Sequence, residues 1–211
     1  MKNLTLPKHH SLTDWDFEPG HDYYLSVAHF VSAPSALAAP LAGAGIHYYY
    51  AYLKEDSGGK CIPIGSFRTY FMVIVAGQNL RIFIRQQPPL VHGGDQNGYV
   101  VYLDNIFQKW SITRYVNGIG YGYGSHPLDG ILANVWNRIR LDFYEYFNPT
   151  LDPLLRIELF VELAGEWVSQ GYFDSPPAFS LSEFNRIGFS LYGYNAAQYM
   201  LADNTEIWSQ S

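Results

Sequence analysis

The stretch RLDFYEYF, residues 140–147, holds Asp142 and Glu145, the nearest approach to a carboxylate pair in this chain. Retaining glycosidases need two carboxyl groups ~5–5.5 Å apart, a separation that strand residues two apart on one face would supply. Asp142 and Glu145 are three apart, so an unbulged strand sends them to opposite faces. Glu158 and Glu162 share a face but are four apart, and strand pairing would set them next to Arg138, Arg140 and Arg156. That pattern reads as cross-strand charge pairing. The seven histidines form no H-x-H or H-x-x-x-H motif near a carboxylate, and no partner that would orient a base is legible. A Ser–His or Cys–His nucleophile is therefore unsupported, and Cys61, beside Ile62 and Pro63, reads as inert. No residue is assigned a catalytic role, and the chain is expected not to be an enzyme.

Binding chemistry is better represented. A sugar presents an apolar ring face and a polar rim, so it needs aromatic platforms with polar groups beside them. NGIGYGYGSHPLDG, residues 117–130, reads as a glycine-rich loop carrying Tyr121, Tyr123, His126 and Asp129. HYYYAYL, residues 47–53, adds Tyr48 and Tyr50 among its tyrosines. Contact surfaces between subunits are also rich in tyrosine, so the same residues fit a protein partner as well as a glycan. In HGGDQNG, residues 92–98, Asp95 and Asn97 are the residues that could hold a hard cation such as calcium. D-x-N-G is also an ordinary turn.

The elements that must position these groups read as strands. RTYFMVIVA (68–76) and NLRIFIRQ (79–86) flank Gly77-Gln78, a compact hairpin signal. GYVVYLDNI (98–106) leads through Gln108 and Lys109 into residues 110–120, and FNRIGFSLYGY (184–194) is expected to pair with QYMLADNTEIW (198–208). VWNRIRLDFYEYF (135–147) meets LLRIELFVEL (154–163), and Ala164-Gly165 then turns into EWVSQGYF (166–173). The central pair fixes its own register. With Phe143 opposite Ile157 and Leu141 opposite Leu159, Arg138 faces Glu162 and Arg156 lies diagonal to Asp142, whereas a one-residue slip would bury charge. No segment keeps a 3.6-residue apolar period beyond a few residues. An all-β fold follows, an antiparallel two-sheet sandwich with little helix. Residues 1–33 are expected to form an irregular N-terminal arm and 34–211 a single jelly-roll domain.

The second half resembles the concanavalin A-like lectin/glucanase jelly roll, in particular its laminin G-like members. The resemblance rests on Trp136 opening a strand, Gly165 with Trp167, Gly188 with Phe189, and Asp203 followed by Ile207 and Trp208. It covers residues 130–208 well and the first half loosely. It implies that SAPSAL, residues 32–37, is the first paired strand and lies beside the last. The enzymatic members carry a glutamate two residues before the aspartate, where this chain has Arg140. Calcium sites occur in relatives, and LADN, residues 201–204, would be a second donor loop.

Composition narrows the function. Only 15% of residues are charged and 17% are aromatic, with a formal net charge of −6. Acidic balance without a Lys/Arg run argues against nucleic acid and anionic membranes as partners. One cysteine permits no intrachain disulfide. The N-terminus does not read as a secretory signal, so the chain is expected to be made in a cytoplasm. The charge-poor, tyrosine-rich composition points to protein partners in an assembly, including a homo-oligomer. The reading reached is a structural or interaction protein, such as a phage head-decoration or tail-associated protein on a virion surface. The alternative is a carbohydrate-binding module, and a glycoside hydrolase comes last.

Overall fold

The computed structural model describes residues 2–4, 15–17, 24–26, 36–38, 47–53, 65–73, 79–86, 97–150, 152–176, 186–193 and 201–209. It describes side chains within 65–73, 79–85, 97–150, 152–176 and 188–190, and at 202, 205 and 206. Cys61, Asp95, His9 and His10 lie outside these, as do most of residues 1–33. Among the described residues no helix is long and apolar enough to cross a membrane.

Among the described residues, fifteen strands form two antiparallel sheets. Sheet A runs, from one edge to the other, β13 (Glu166–Ser175), β12 (Pro153–Leu163), β11 (Asn137–Phe147), β6 (Gly65–Met72), β15 (Leu201–Ser209), β4 (Ala36–Ala38) and β3 (Tyr24–Ser26). The short β1 (Lys2–Leu4) also pairs with β15. Sheet B runs β10 (Ile119–Pro127), β9 (Lys109–Val116), β8 (Gly98–Asp104), β7 (Asn79–Gln86), β14 (Arg186–Gly193), β5 (His47–Leu53) and β2 (Trp15–Phe17).

Alternation decides which face is buried. On β11, Ile139, Leu141 and Phe143 point inward, and on β12 so do Leu155, Ile157, Leu159 and Val161. They meet Leu80, Ile82, Ile84, Val101, Leu103 and Ile112 of sheet B in one core. The expected register is the observed one: Phe143 opposite Ile157 and Leu141 opposite Leu159. Arg138 donates to Glu162 across 2.9 Å. Arg156 takes a different ion partner from its diagonal neighbour Asp142. Its Nε and Nη2 donate to the two oxygens of Asp174 on β13, at 2.8 and 2.9 Å.

Two expected hairpins are instead crossings between sheets. β6 lies in sheet A between β11 and β15, while β7 lies in sheet B between β8 and β14. Likewise β14 sits in sheet B and β15 in sheet A. Each of these strands is central and already paired on both sides, so it has no edge left for its sequence neighbour. The closing strand does return to the N-terminal part, with Leu201 opposite Ala38 and Ala202 opposite Leu37. SAPSAL is not the first strand to pair there, since β1 precedes it.

Most of the 117–130 segment, Ile119–Pro127, is also a strand and not a loop, and Asp129 lies just beyond it. Asn117 (φ 49) and Gly118 (φ 77) form the turn, and β10 then pairs back on β9 from Ile119 to Pro127. Positive φ at both central residues is what a two-residue type I′ hairpin demands. Ala164 (φ 52) and Gly165 (φ 88) turn β12 into β13 in the same way.

Candidate functional site

The outer face of sheet B gathers polar side chains from three neighbouring strands. On β7 the inward phase takes Leu80, Ile82 and Ile84, which leaves Asn79 and Arg81 facing out. Register then aligns Arg81 with Tyr102 and Tyr102 with Ser111, while Asn79 aligns with Asp104. Together with Leu103 these residues line a shallow cleft of about 270 Å³. One row along the same face Phe83 and Val100 are buried, with Tyr102 and Tyr115 packed against them. The cleft therefore has an apolar flank.

Its polar groups are held in place. The Arg81 guanidinium carbon stands 4.9 Å from the Tyr102 ring centroid, a cation–π distance. The Tyr102 and Tyr115 hydroxyls share a 2.8 Å hydrogen bond. Asn79 Oδ1 accepts the Asn105 N–H at 3.0 Å, and Asp104 Oδ1 accepts those of Ile106 and Phe107 at 2.9 and 3.2 Å. The cleft thus combines guanidinium, amide, carboxylate and hydroxyl groups over a ring, a set suited to a ligand rich in hydroxyls. It holds no nucleophile–base pair.

Tyr48 and Tyr50, chosen from sequence, lie on β5 of the same sheet. Tyr50 is in register with Ser190, which is in register with Arg81. Tyr48 is in register with Tyr192, and Tyr192 with Asn79. Their side chains are outside the described residues. Sequence reasoning missed Asn79, Arg81, Tyr102, Asp104 and Ser111. Each is an ordinary outward strand residue, and only the register of β7, β8 and β9 brings them together.

The other sequence candidates sit where the edges of the two sheets meet. Tyr123 shares a 2.7 Å hydrogen bond with Ser175, and His126 Nε2 donates to the Tyr172 carbonyl at 2.9 Å. The His126 ring packs on Trp110 and Phe173, with centroids 5.6 and 4.5 Å away. A Cβ on Gly171, whose φ is +99°, would stand 3.1 Å from that ring, so the close approach of β10 to β13 requires glycine. Trp110 Nε1 donates to the Gln170 carbonyl at 2.7 Å, and the Asp129 N–H donates to Gln170 Oε1 at 2.8 Å. Asp129 also borders a depression of about 330 Å³ with Pro127, Leu163, Val168, Ser169 and Gln170. Tyr121 is the exposed aromatic of this group at 47%, with the Arg114 guanidinium 5.3 Å from its ring centroid. Tyr123, His126 and Trp110 therefore fasten sheet B to sheet A along one side of the sandwich.

Neither acidic group forms a second kind of site. Asp142 faces outward, 3.2 Å from Arg140. Glu145 belongs to the inward phase and pairs at 2.7 Å with the fully buried Arg85 of sheet B. The two carboxylates lie on opposite faces of β11, as their spacing requires. Asn97 Oδ1 accepts the Asn117 N–H at 2.6 Å and so fastens the β9–β10 turn. Asp203 lies on β15 opposite Tyr70, at a bulge. Among the described residues no three His, Cys, Asp or Glu side chains converge as a metal site.

Solved structures share this architecture over almost the whole chain. The exoplasmic/lumenal domain of VIP36, in its Ca2+/Man3GlcNAc-bound form, matches with a TM-score of 0.66 and 12% identity, covering 99% of this chain and 88% of that one. The legume lectin-like domain from Entamoeba histolytica matches at 0.57 and 8% identity, covering 95% and 91%. The fold is that of the concanavalin A-like lectins. A carbohydrate-binding module, CBM66 from Bacillus subtilis, matches at 0.55 and 11% identity, covering 93% and 96%. The concanavalin A-like resemblance legible in residues 130–208 thus extends through both halves of the chain. No protein-family model matches the sequence, and no curated protein matches it significantly.

Proposed function

We propose that this chain is a non-enzymatic carbohydrate-binding module that takes its ligand on the outer face of sheet B. The observation that carries this reading is the polar cleft, with Arg81 over Tyr102 and flanked by Asn79, Asp104 and Ser111, on a lectin-type frame. At about 270 Å³ the cleft suits one or two sugar rings of a longer chain lying across the sheet. The fold alone hosts enzymes, lectins and inert modules, so this reading is supported by the cleft more than by the frame. The separation of Asp142 from Glu145 favours binding without hydrolysis. The reading as a virion component rests on composition and finds no support among the neighbours above, two of which are lectin or carbohydrate-binding domains by name and one of which holds a glycan.

The test is a glycan array probed with the purified chain, with calcium and again after EDTA. Saturable binding is expected, weakened about tenfold to a hundredfold by Arg81→Ala or by filling the cleft with Ser111→Arg. Tyr121→Ala should bind as the parent does. Silence on the array from a folded protein, or binding indifferent to both cleft variants, overturns the reading. Loss of binding in EDTA would show that binding needs a divalent cation and make Asp95 and its loop the first place to mutate.

A further inference from the structure

We infer that the outer face of sheet A is a homodimer interface, closed by a second copy of this chain about a two-fold axis lying between the Arg140 and Asp142 rows. This rests on sheet A alone and is independent of glycan binding on sheet B.

The outward residues of β11 read Arg138, Arg140, Asp142, Tyr144. Directly beside them on β12 stand Glu162, Phe160, Glu158 and Arg156. The sign of charge reverses between the second and third rows on β11, and between the first and fourth on β12. A two-fold axis along the strand-to-strand direction, between the second and third rows, lays row two on row three and row one on row four. Arg140 then meets Asp142 of the second copy, and Glu162 meets Arg156, each contact made twice. Arg138 comes over Tyr144, a cation–π partner. On these two strands Phe160 meeting Glu158 is the one juxtaposition without a complement.

Three further features favour a second copy over a partner of uniform charge. Arg138, Arg140 and Arg156 are matched by Asp142, Glu158, Glu162 and Asp174, so the face has no single sign with which to attract a polyanion or polycation. Arg140 Nε stands 3.2 Å from Asp142 Oδ2, while Asp142 Oδ1 has no hydrogen-bond partner within the chain, and the two side chains are 19% and 28% exposed. The face is also built of arginine and aromatic residues, with no lysine among its described members. Arg138 and Arg140 both stack on Trp167, at 5.1 and 5.2 Å, and Arg140 on Phe160 at 3.9 Å. Interface centres are enriched in arginine and aromatics and depleted in lysine. Taken with the adjoining β13, β6 and β15, five strands by four rows give a footprint of roughly 650 Å², near the ~800 Å² per partner of a standard interface.

Sedimentation of the full chain between about 1 and 100 µM, at low and high salt, reads the assembly directly. The parent should dimerise, less so at high salt. Arg140→Asp and Asp142→Arg should each weaken the homodimer about thirtyfold or more, since each sets like charges against one another. Mixed in equal amounts, the two variants should pair again. The aspartate introduced in one then meets the arginine introduced in the other, and the unchanged Asp142 of the first meets the unchanged Arg140 of the second. Thermal melts of the separate variants establish that each is folded. A parent that stays monomeric, a dimer indifferent to both substitutions, or folded variants that fail to pair when mixed overturns the inference.

Discussion

On the outer face of sheet A, Arg138 and Arg156 each donate to a carboxylate and, like Arg140, stack on rings; Arg156 lies 3.8 Å from the Tyr172 ring centroid and 4.8 Å from that of Tyr146. On the outer face of sheet B, Arg81 stacks on Tyr102, and the half-buried residues beside it are Ser111, Thr113 and Tyr115. The two faces share one kind of scaffold and differ in how their polar groups are satisfied. Sheet A answers charge with charge inside the face, which leaves a patterned surface suited to another patterned surface. Sheet B sets hydroxyl and amide groups around a hollow, which suits a small polar ligand. A face rich in ion pairs and a face rich in hydroxyls can thus divide the work of one sandwich.

The largest effect is expected where the two sheets are joined through the core. Glu145→Ala removes the carboxylate from Arg85, whose side chain is fully buried on the opposite sheet. Breaking a buried pair from one side costs about 3 kcal/mol or more, so urea unfolding should show a clearly lower midpoint with an unchanged slope.

A smaller effect should separate sheet A from sheet B by pH. Hydrogen bonds from Arg156, offset in part by burial, hold the Asp174 carboxyl below its ordinary range. A depressed carboxylate stabilises the fold above its unfolded pKa of about 3.9, and that contribution is lost as pH falls through the lower folded value. Asp174→Asn should therefore cost about 0.5–1 kcal/mol at pH 7. It should flatten the acid limb of stability below about pH 4, as followed by thermal melts at stepped pH. Glycan binding on sheet B should not change.

The smallest effect belongs to sheet B. Tyr115→Phe removes the hydroxyl that bonds Tyr102 and should cost about 0.5 kcal/mol of stability. It frees the Tyr102 ring that Arg81 covers, so calorimetric titration with an array-positive glycan should show weaker binding. Unchanged affinity would detach Tyr102 from the cleft.

Legibility followed the same division. Residues 135–163 could be paired from sequence because Ile139, Leu141 and Phe143 alternate with charge, and slippage would bury an arginine. The β6–β7 and β14–β15 segments could not. A two- or three-residue turn signal is equally consistent with a chain crossing between sheets, and both-sided pairing of a central strand leaves no local mark. Glycines at 120, 122 and 124 disguised β10 as a loop, since glycine is depleted from strands. The fasteners His126 and Tyr123 looked like a binding platform because an aromatic beside a polar group serves packing and recognition alike. The cleft around Arg81 was invisible for a further reason. Its residues come from three strands, and the link from β7 to β8 is too long for sequence to fix their register.

β10 has a consequence for how the protein behaves when concentrated. From Ile119 to Pro127 it carries no lysine, arginine, aspartate or glutamate, and it lies at the edge of sheet B. An uncharged nine-residue edge offers unpaired backbone groups to any extended chain and invites fibril-like stacking. What interrupts it is geometry: the register shift between Gly122 and Ser125 kinks the strand, and Pro127 withholds a donor at its end. Gly124, at φ +89°, sits within that shift and helps to spoil the flatness on which edge-to-edge stacking depends.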